Sequence, residues 1–266
     1  MYDRVYVYEF EGNMSSRVPL IKRDEDYIGF WKEANYSFLF FKKEKKSLLQ
    51  KYLPPFRSEL VIRHEDWESG DSLDILRVGR LIIHPPWKSP PENEGIPIRI
   101  DPAMAFGSGY HPSTRGCLTL LDKLYQEFVP EKVLDLGTGT GILSIACLKM
   151  GSRTAFSIDY NNLSIDTAMK NRGLNGMEKN MHLWMGDARN FLYIPAELLI
   201  GNLHFPVIEA MIDQELFYSK KYYLLSGLTG HEGHRIGEKL KGRLTLLDTH
   251  QENFWFTYLF QAPNNP

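Results

Sequence analysis

The sequence predicts an α/β protein: a doubly wound, mostly parallel sheet preceded by a small α+β unit. Three observations carry this. From about residue 96 onward, short apolar runs alternate with helix-like runs, the pattern of successive βαβ units. One strand-to-helix turn, Lys132-Val-Leu-Asp-Leu-Gly-Thr-Gly-Thr-Gly-Ile142, holds three glycines spaced by single residues. Residues 1–95 instead carry short strand patterns and then a stretch rich in proline.

In chain order, residues 2–10 alternate as a strand, Tyr36–Phe41 and Glu59–Arg63 read as two more, and Lys45–Leu53 fits a short helix. Together they suggest a compressed, ferredoxin-like α+β unit. The run Lys42-Lys-Glu-Lys-Lys46 reads either as a nucleic-acid patch or as a solvated turn and helix start; its shortness and acidic surroundings favour the second. Leu81–Ile83 is a further strand. Pro85 to Gly95 reads as a semi-rigid linker, so the division is expected there: a small domain with its linker over 1–95 and a larger domain over 96–266. Within the larger domain, strands are expected near 98–101, 132–136, 153–159, 181–185, 197–202, 220–226, 243–249 and 254–260. Helices are expected at 113–127, 142–150, 162–174, 205–217 and 231–241.

The glycine-rich turn carries the chemistry. Val133–Leu136 is a buried strand, Gly137, Gly139 and Gly141 let the backbone turn sharply, and Ile142–Met150 is the following helix, ended at Gly151. The next strand ends in Asp159, 22 residues after the first glycine, where a carboxylate is placed to accept hydrogen bonds from two ribose hydroxyls. A dinucleotide site needs a third small residue where this chain has Ile142. Asp135, two residues before Gly137, suits an ammonium group better than a pyrophosphate. Both points favour S-adenosylmethionine, with S-adenosylhomocysteine as its product, over a nicotinamide cofactor. A glycine-rich turn without a ligand is the alternative; it would require the glycines, the acid and the βαβ pattern to coincide by chance.

The last two strand runs have only a short connection and read as an antiparallel pair at the sheet edge. A seven-stranded Rossmann-like sheet ending in such a hairpin is the usual shape of an S-adenosylmethionine-dependent methyltransferase. Composition is consistent with a folded domain of this kind: 266 residues, 43% hydrophobic, 24% charged and a formal net charge of −2. That balance gives no global attraction to nucleic acid or to an anionic membrane. No apolar run approaches the roughly 20 residues of a membrane span. Cys117 and Cys147 lie in apolar helical stretches, as reduced core residues of a cytoplasmic protein do.

The segment Asp101-Pro-Ala-Met-Ala-Phe-Gly-Ser-Gly-Tyr-His-Pro-Ser-Thr114 resembles the D-P-G-x-A-F-G-T-G-x-H-P-T-T signature of the PrmA family, which methylates amino groups of protein eleven of the large ribosomal subunit. Asp66-Trp67, the run Arg77–Trp87, the glycine turn, Gly201-Asn-Leu203 and Leu225-Ser-Gly-Leu228 match as well, so the resemblance covers roughly residues 64–260. It implies a protein N-methyltransferase whose small N-terminal domain recognises the substrate. It places cofactor contacts on Thr114, Gly137, Asp159 and Asn202. On the physical reading, Phe106 and Gly107 belong to a loop that can close over the cofactor. Gly139, Gly141 and Asp135 complete its bed. Thr114 stands at a helix start where its hydroxyl and nearby amides can hold a carboxylate, with helix capping by Ser113 or Thr114 as the alternative.

Asp187 is placed either to accept from the adenine amino group or to cap the next turn. Asn202, with Leu203 and His204, stands at the strand end where open α/β sheets bind ligands, and these three are the candidate catalytic residues. The chain departs from the family at this edge, where Gly201-Asn-Leu-His-Phe205 replaces Ala-Asn-Ile-Leu, and in the loop, at Ser108 and Tyr110. An acceptor on another protein, RNA or a small molecule therefore stays open, as does a non-catalytic cofactor-binding or assembly role. His231, His234 and His64 invite a metal reading, but no motif supplies further ligands, and no metal is expected.

Overall fold

The computed structural model describes residues 4–33, 35–63, 74–101 and 105–263. The N-terminal unit is a four-stranded antiparallel sheet formed by β1 (Arg4–Glu11), β2 (Tyr27–Glu33), β3 (Tyr36–Phe41) and β4 (Ser58–Arg63), in the order β2-β3-β1-β4. Helix α1 (Lys46–Tyr52) covers one face. That strand order is ferredoxin-like, with the first crossover helix reduced to a 3-10 turn at Val18–Leu20. Strand β2 escapes sequence reading because Gly29 interrupts its alternation; the glycine is there for packing. A Cβ on Gly29 would lie 2.1 Å from Leu163 Cδ1, so the sheet closes directly onto the helix that carries Leu163.

Three further strands, β5 (Leu76–Val78), β6 (Leu81–His84) and β7 (Ile96–Arg99), form a small sheet in which β6 and β7 run parallel. The division expected at residue 95 therefore runs through this sheet. Val78, Leu81, Ile83 and Ile98 pack in the same core as the helices of the large domain, so the proline-rich segment is a crossover within one layer and not a link between two bodies. Strand β7 likewise stands outside the large sheet.

The large domain contains α2 (Pro112–Glu127), β8 (Lys132–Leu136), α3 (Ile142–Lys149), β9 (Thr154–Asp159), α4 (Asn162–Leu174) and β10 (Met181–Met185). It continues with β11 (Leu198–Asn202), α5 (Phe205–Ile212), β12 (Tyr222–Thr229), α6 (Gly230–Leu240), β13 (Thr245–Glu252) and β14 (Trp255–Gln261). The seven-stranded order is β10-β9-β8-β11-β12-β14-β13, parallel throughout except for β14, which runs antiparallel to both β12 and β13. Cores fill both faces: Leu118, Leu121, Ile145 and Leu224 on the α2/α3 side, and Leu134, Ile208, Ile236 and Tyr223 on the α5/α6 side. A sheet buried on both faces explains why its strands read as continuous apolar runs. The order reverses direction between β8 and β11, and the carboxyl ends of those two strands open the crevice where ligands of such sheets bind.

Candidate functional site

The crevice is floored by the glycine turn. Gly137, Gly139 and Gly141 all adopt left-handed φ, at +75°, +55° and +85°. Gly139 shows why a side chain is excluded: a Cβ there would lie 2.2 Å from the Phe106 carbonyl oxygen. Its amide donates to Asp159 Oδ2 at 2.9 Å, and the Asn161 amide donates to Asp159 Oδ1 at 2.9 Å. The Ser164 hydroxyl and the Tyr160 amide also donate to this carboxylate, which is therefore held rigidly at the strand end. Burial raises the Asp159 pKa, and these amide bonds oppose the rise.

Asp135 is fully buried beneath the same turn. Its Oδ2 accepts from Thr138 Oγ1 and Ser144 Oγ, each at 2.7 Å, and Ser144 is bonded in turn to Ser157 Oγ at 2.7 Å. Oδ1 has no hydrogen-bond partner among the described residues. Burial, reinforced by the nearby Asp159 charge, pushes the Asp135 carboxyl up to about 6. An orphaned carboxylate oxygen under the turn fits an ammonium group and would repel a pyrophosphate.

The loop of Phe106 and Gly107 sits on the turn. The Thr140 amide donates to the Phe106 carbonyl at 2.9 Å, and its hydroxyl to the Gly107 carbonyl at 2.5 Å. The Phe106 ring is 43% exposed and meets His111 edge to face at 4.9 Å; His111 meets Trp255 in the same way at 4.8 Å. Loop, helix start and hairpin thus form one aromatic wall. Arg115 locks it: its guanidinium donates to the Tyr110 carbonyl at 2.5 Å and grips the Glu252 carboxylate with two donors, Nε at 3.0 Å and Nη2.

His111, and not Ser113 or Thr114, caps α2, accepting from the Ser113 amide at 3.3 Å. The Thr114 amide is engaged within the first turn, leaving its hydroxyl to receive Asn202 Nδ2 at 3.4 Å. Leu203 continues from β11, its amide donating to the Ser226 carbonyl at 3.1 Å and its side chain lying against Gly137. His204 is exposed at the start of α5 and makes no capping bond with its side chain.

Asp187 caps the 3-10 turn Ala188–Asn190, accepting from the Arg189 amide at 3.0 Å. It also pairs with the Arg189 guanidinium, which holds its carboxyl below the usual range. The capping alternative is thus realised. The Gly186 amide donates to the Asp159 carbonyl at 2.9 Å, which keeps this corner beside Asp159.

The lysine run is neutralised locally. Lys45 pairs with Asp24 and Asp26, Lys43 with Asp26, and Lys46 with Glu44 and Glu59, so it is a solvated turn and not a basic patch. His231 and His234 are exposed, and among the described residues no three His, Cys, Asp or Glu side chains gather to hold a metal. Cys117 and Cys147 are free, buried thiols whose pKa burial raises. His64, Asp66-Trp67 and residues 102–104 of the signature lie outside the described residues. Sequence reading missed Trp255, Glu252 and Arg115, which carry no local signature and meet only in the folded chain.

Under the turn lies a fully buried carboxylate with one unpartnered oxygen, which favours a positive charge above it, and bulky Ile142 stands where a pyrophosphate site needs a small residue. With the strand order around it, this defines the class: the S-adenosylmethionine-dependent methyltransferases. The family profile "Ribosomal protein L11 methyltransferase (PrmA)" matches residues 9–263, and the chain belongs to that family. A ribosomal protein L11 methyltransferase of Nitratiruptor sp. is 36% identical over 201 residues, which cover 74% of this chain and 69% of the relative. One from Syntrophomonas wolfei is 32% identical over 187 residues, 68% of this chain and 60% of the relative, so the match spans less than two thirds of that protein. The crystal structure of a ribosomal protein L11 methylase from Lactobacillus delbrueckii subsp. bulgaricus shares the fold, with a TM-score of 0.62 at 22% identity, covering 71% of this chain and 98% of that one. No helix among the described residues is long and apolar enough to cross a membrane.

Proposed function

We propose that the protein transfers methyl groups from S-adenosylmethionine to amino groups of ribosomal protein L11, in the cytoplasm. The observation that carries this reading is the end of β11. There Asn202 is held by Thr114 and Leu203 by Ser226 and Gly137, which supports reading the Asn202 side-chain carbonyl and the Leu203 backbone carbonyl as the groups that meet the acceptor amine. The relatives' names supply the acceptor. The unit spanning residues 4–63 is read as the docking surface for that acceptor, with the division between the two units falling between residues 63 and 74.

When bound, S-adenosylmethionine supplies a methyl group already activated on its sulfonium sulfur. Asp159 would hold the ribose hydroxyls, Asp135 the ammonium, and the Thr114 hydroxyl the carboxylate. Gly137, Gly139 and Gly141 let the backbone approach, and the corner at Asp187 flanks the adenine. The acceptor amine must arrive neutral, and the wall of Phe106, His111 and Trp255 excludes water and so favours the uncharged form. Asn202 Oδ1 and the Leu203 carbonyl accept its N–H bonds and aim its lone pair. Most of the rate then comes from this alignment, and no strong general base is needed. His204, exposed at the rim, is placed to take the released proton to solvent.

The test is incubation with methyl-labelled S-adenosylmethionine and purified unmethylated L11, with undermethylated ribosomes in parallel, read by intact mass. Gain of methyl masses on L11 is expected. No gain, with S-adenosylhomocysteine binding shown by calorimetry, would overturn the acceptor assignment.

A further inference from the structure

Strand β12 is irregular beside the site. Leu225 pairs with Tyr258 and Leu228 with Phe256, so Ser226 and Gly227 together oppose the single residue Thr257. This is a β-bulge, a device that re-aims backbone next to functional sites. It is firmly tethered. Ser226 Oγ is bonded to Thr257 Oγ1 at 2.7 Å and lies 3.3 Å from both the Phe256 carbonyl and the Ser113 carbonyl, the latter from the residue before Thr114. The Ser226 carbonyl accepts the Leu203 amide at 3.1 Å.

Gly227 packs against the Leu203 peptide, and its missing Cβ would come nearest the carbonyl oxygen. Its φ is +80°, and a Cβ there would lie 2.5 Å from Leu203 O and 3.1 Å from both Leu203 C and N. Every one of these contacts is to backbone, which cannot swing aside as a side chain tip can. An alanine would displace the Leu203 peptide by roughly 1 Å before ordinary van der Waals contact returned. Leu203 is therefore clamped between the bulge on one side and Gly137 of the cofactor turn on the other.

We infer that Gly227 is a positioning residue: the bulge at Ser226–Gly227 sets where the Leu203 carbonyl points and so aligns the acceptor amine with the methyl group. The inference rests on the reading of Leu203 as an acceptor-holding carbonyl. It assigns work to a residue that touches neither the cofactor turn nor the acceptor.

The chain contains a matched control. Gly242 has φ +79° but no atom within 4 Å of its Cβ position, so Gly242→Ala carries the same backbone cost without moving a carbonyl. Gly227→Ala, Gly242→Ala and Asn202→Ala are compared with wild type. The readouts are kcat and KM for methylation of purified unmethylated L11, S-adenosylhomocysteine Kd by calorimetry, and melting temperature. A 1 Å misplacement at the reacting centre costs on the order of 100-fold in rate, so Gly227→Ala should lose about 100-fold in kcat while Gly242→Ala loses almost none. The S-adenosylhomocysteine Kd should stay within about threefold in both, because Leu203 meets Gly137 only through its side-chain tip, which can adjust when its peptide moves. Should Gly227→Ala fail to fold, Ser226→Ala decides: it loosens the tether and should lower kcat about tenfold with Kd unchanged. Equal kcat for Gly227→Ala and Gly242→Ala, or an unchanged kcat for Ser226→Ala where that variant must decide, overturns the inference. If Asn202→Ala still loses turnover in that case, the acceptor reading survives; if Asn202→Ala is also unaffected, the acceptor reading has failed first.

Discussion

Asp135→Asn should make the ligand-free protein more stable at neutral pH and make it bind cofactor worse. Asp135 is fully buried, and its pKa is raised from 3.8 to about 6, first by burial and then by the charge of Asp159. A folded pKa above the unfolded one means that the native state holds the proton more tightly. Stability from this group is therefore fullest below about pH 4 and falls as pH rises through about 6. A shift of about two units corresponds to about 3 kcal/mol of strain above pH 6. The asparagine oxygen can keep the bonds from Thr138 and Ser144, but its NH2 group then faces the position where Oδ1 has no partner, costing about 1 kcal/mol. The net gain of about 2 kcal/mol should raise the melting temperature by roughly 5 °C at pH 7.5, and near pH 4, where the strain is relieved by protonation, the remaining cost of about 1 kcal/mol should lower it by roughly 2 °C. Cofactor binding should respond in the opposite sense. Losing a hydrogen bond to a charged group costs about 2–3 kcal/mol, so S-adenosylhomocysteine should bind roughly 50-fold more weakly. Wild-type affinity should decline below pH 6 as Asp135 takes up its proton, and the variant should show no such dependence. Scanning fluorimetry across pH and calorimetry with S-adenosylhomocysteine measure both arms. A variant that melts lower than wild type at pH 7.5 and binds the product within twofold would refute the assignment of Asp135 to the ammonium.

Gly139→Ala should weaken S-adenosylhomocysteine binding by about 100-fold, because the new methyl displaces the Phe106 carbonyl and the amide bond to Asp159; calorimetry checks this. Asn202→Ala should lower kcat for L11 by two to three orders of magnitude with product affinity nearly unchanged, in the manner of a removed transition-state contact. Glu252→Gln should cost about 1 kcal/mol at pH 7, or roughly 3 °C of melting temperature, since the pair with Arg115 is only partly exposed. Arg115 holds the Glu252 carboxyl below the usual range, so this stabilisation is present above the unfolded pKa and lost as pH falls through the lowered folded one. The gap between wild type and variant should accordingly close in strong acid, and a gap independent of pH would exclude the ion pair as its cause.

The strand and helix order of the large domain and the glycine turn were legible along the chain. Strand patterns, helix periods and left-handed turns depend on residues close in sequence, and each strand of a sheet buried on both faces announces itself as an apolar run. Asp159 was legible for the same reason: it ends one strand at a fixed distance from one turn. Strand β2 and the pairing of β6 with β7 were not. A glycine accommodating Leu163 breaks the alternation of the first, and a proline-rich crossover looks like a linker when its flanking strands are read singly. The site's walls were hidden more deeply still. Asn202 meets Thr114 across 88 residues and Arg115 grips Glu252 across 137, while the bulge that holds Leu203 exists only because β12 pairs with β11 on one side and β14 on the other. Local sequence selects the elements and the cofactor turn. The surroundings of Asn202 and Leu203 are decided by contacts between segments far apart in the chain, whose residue types become informative only once the sheet has brought them together.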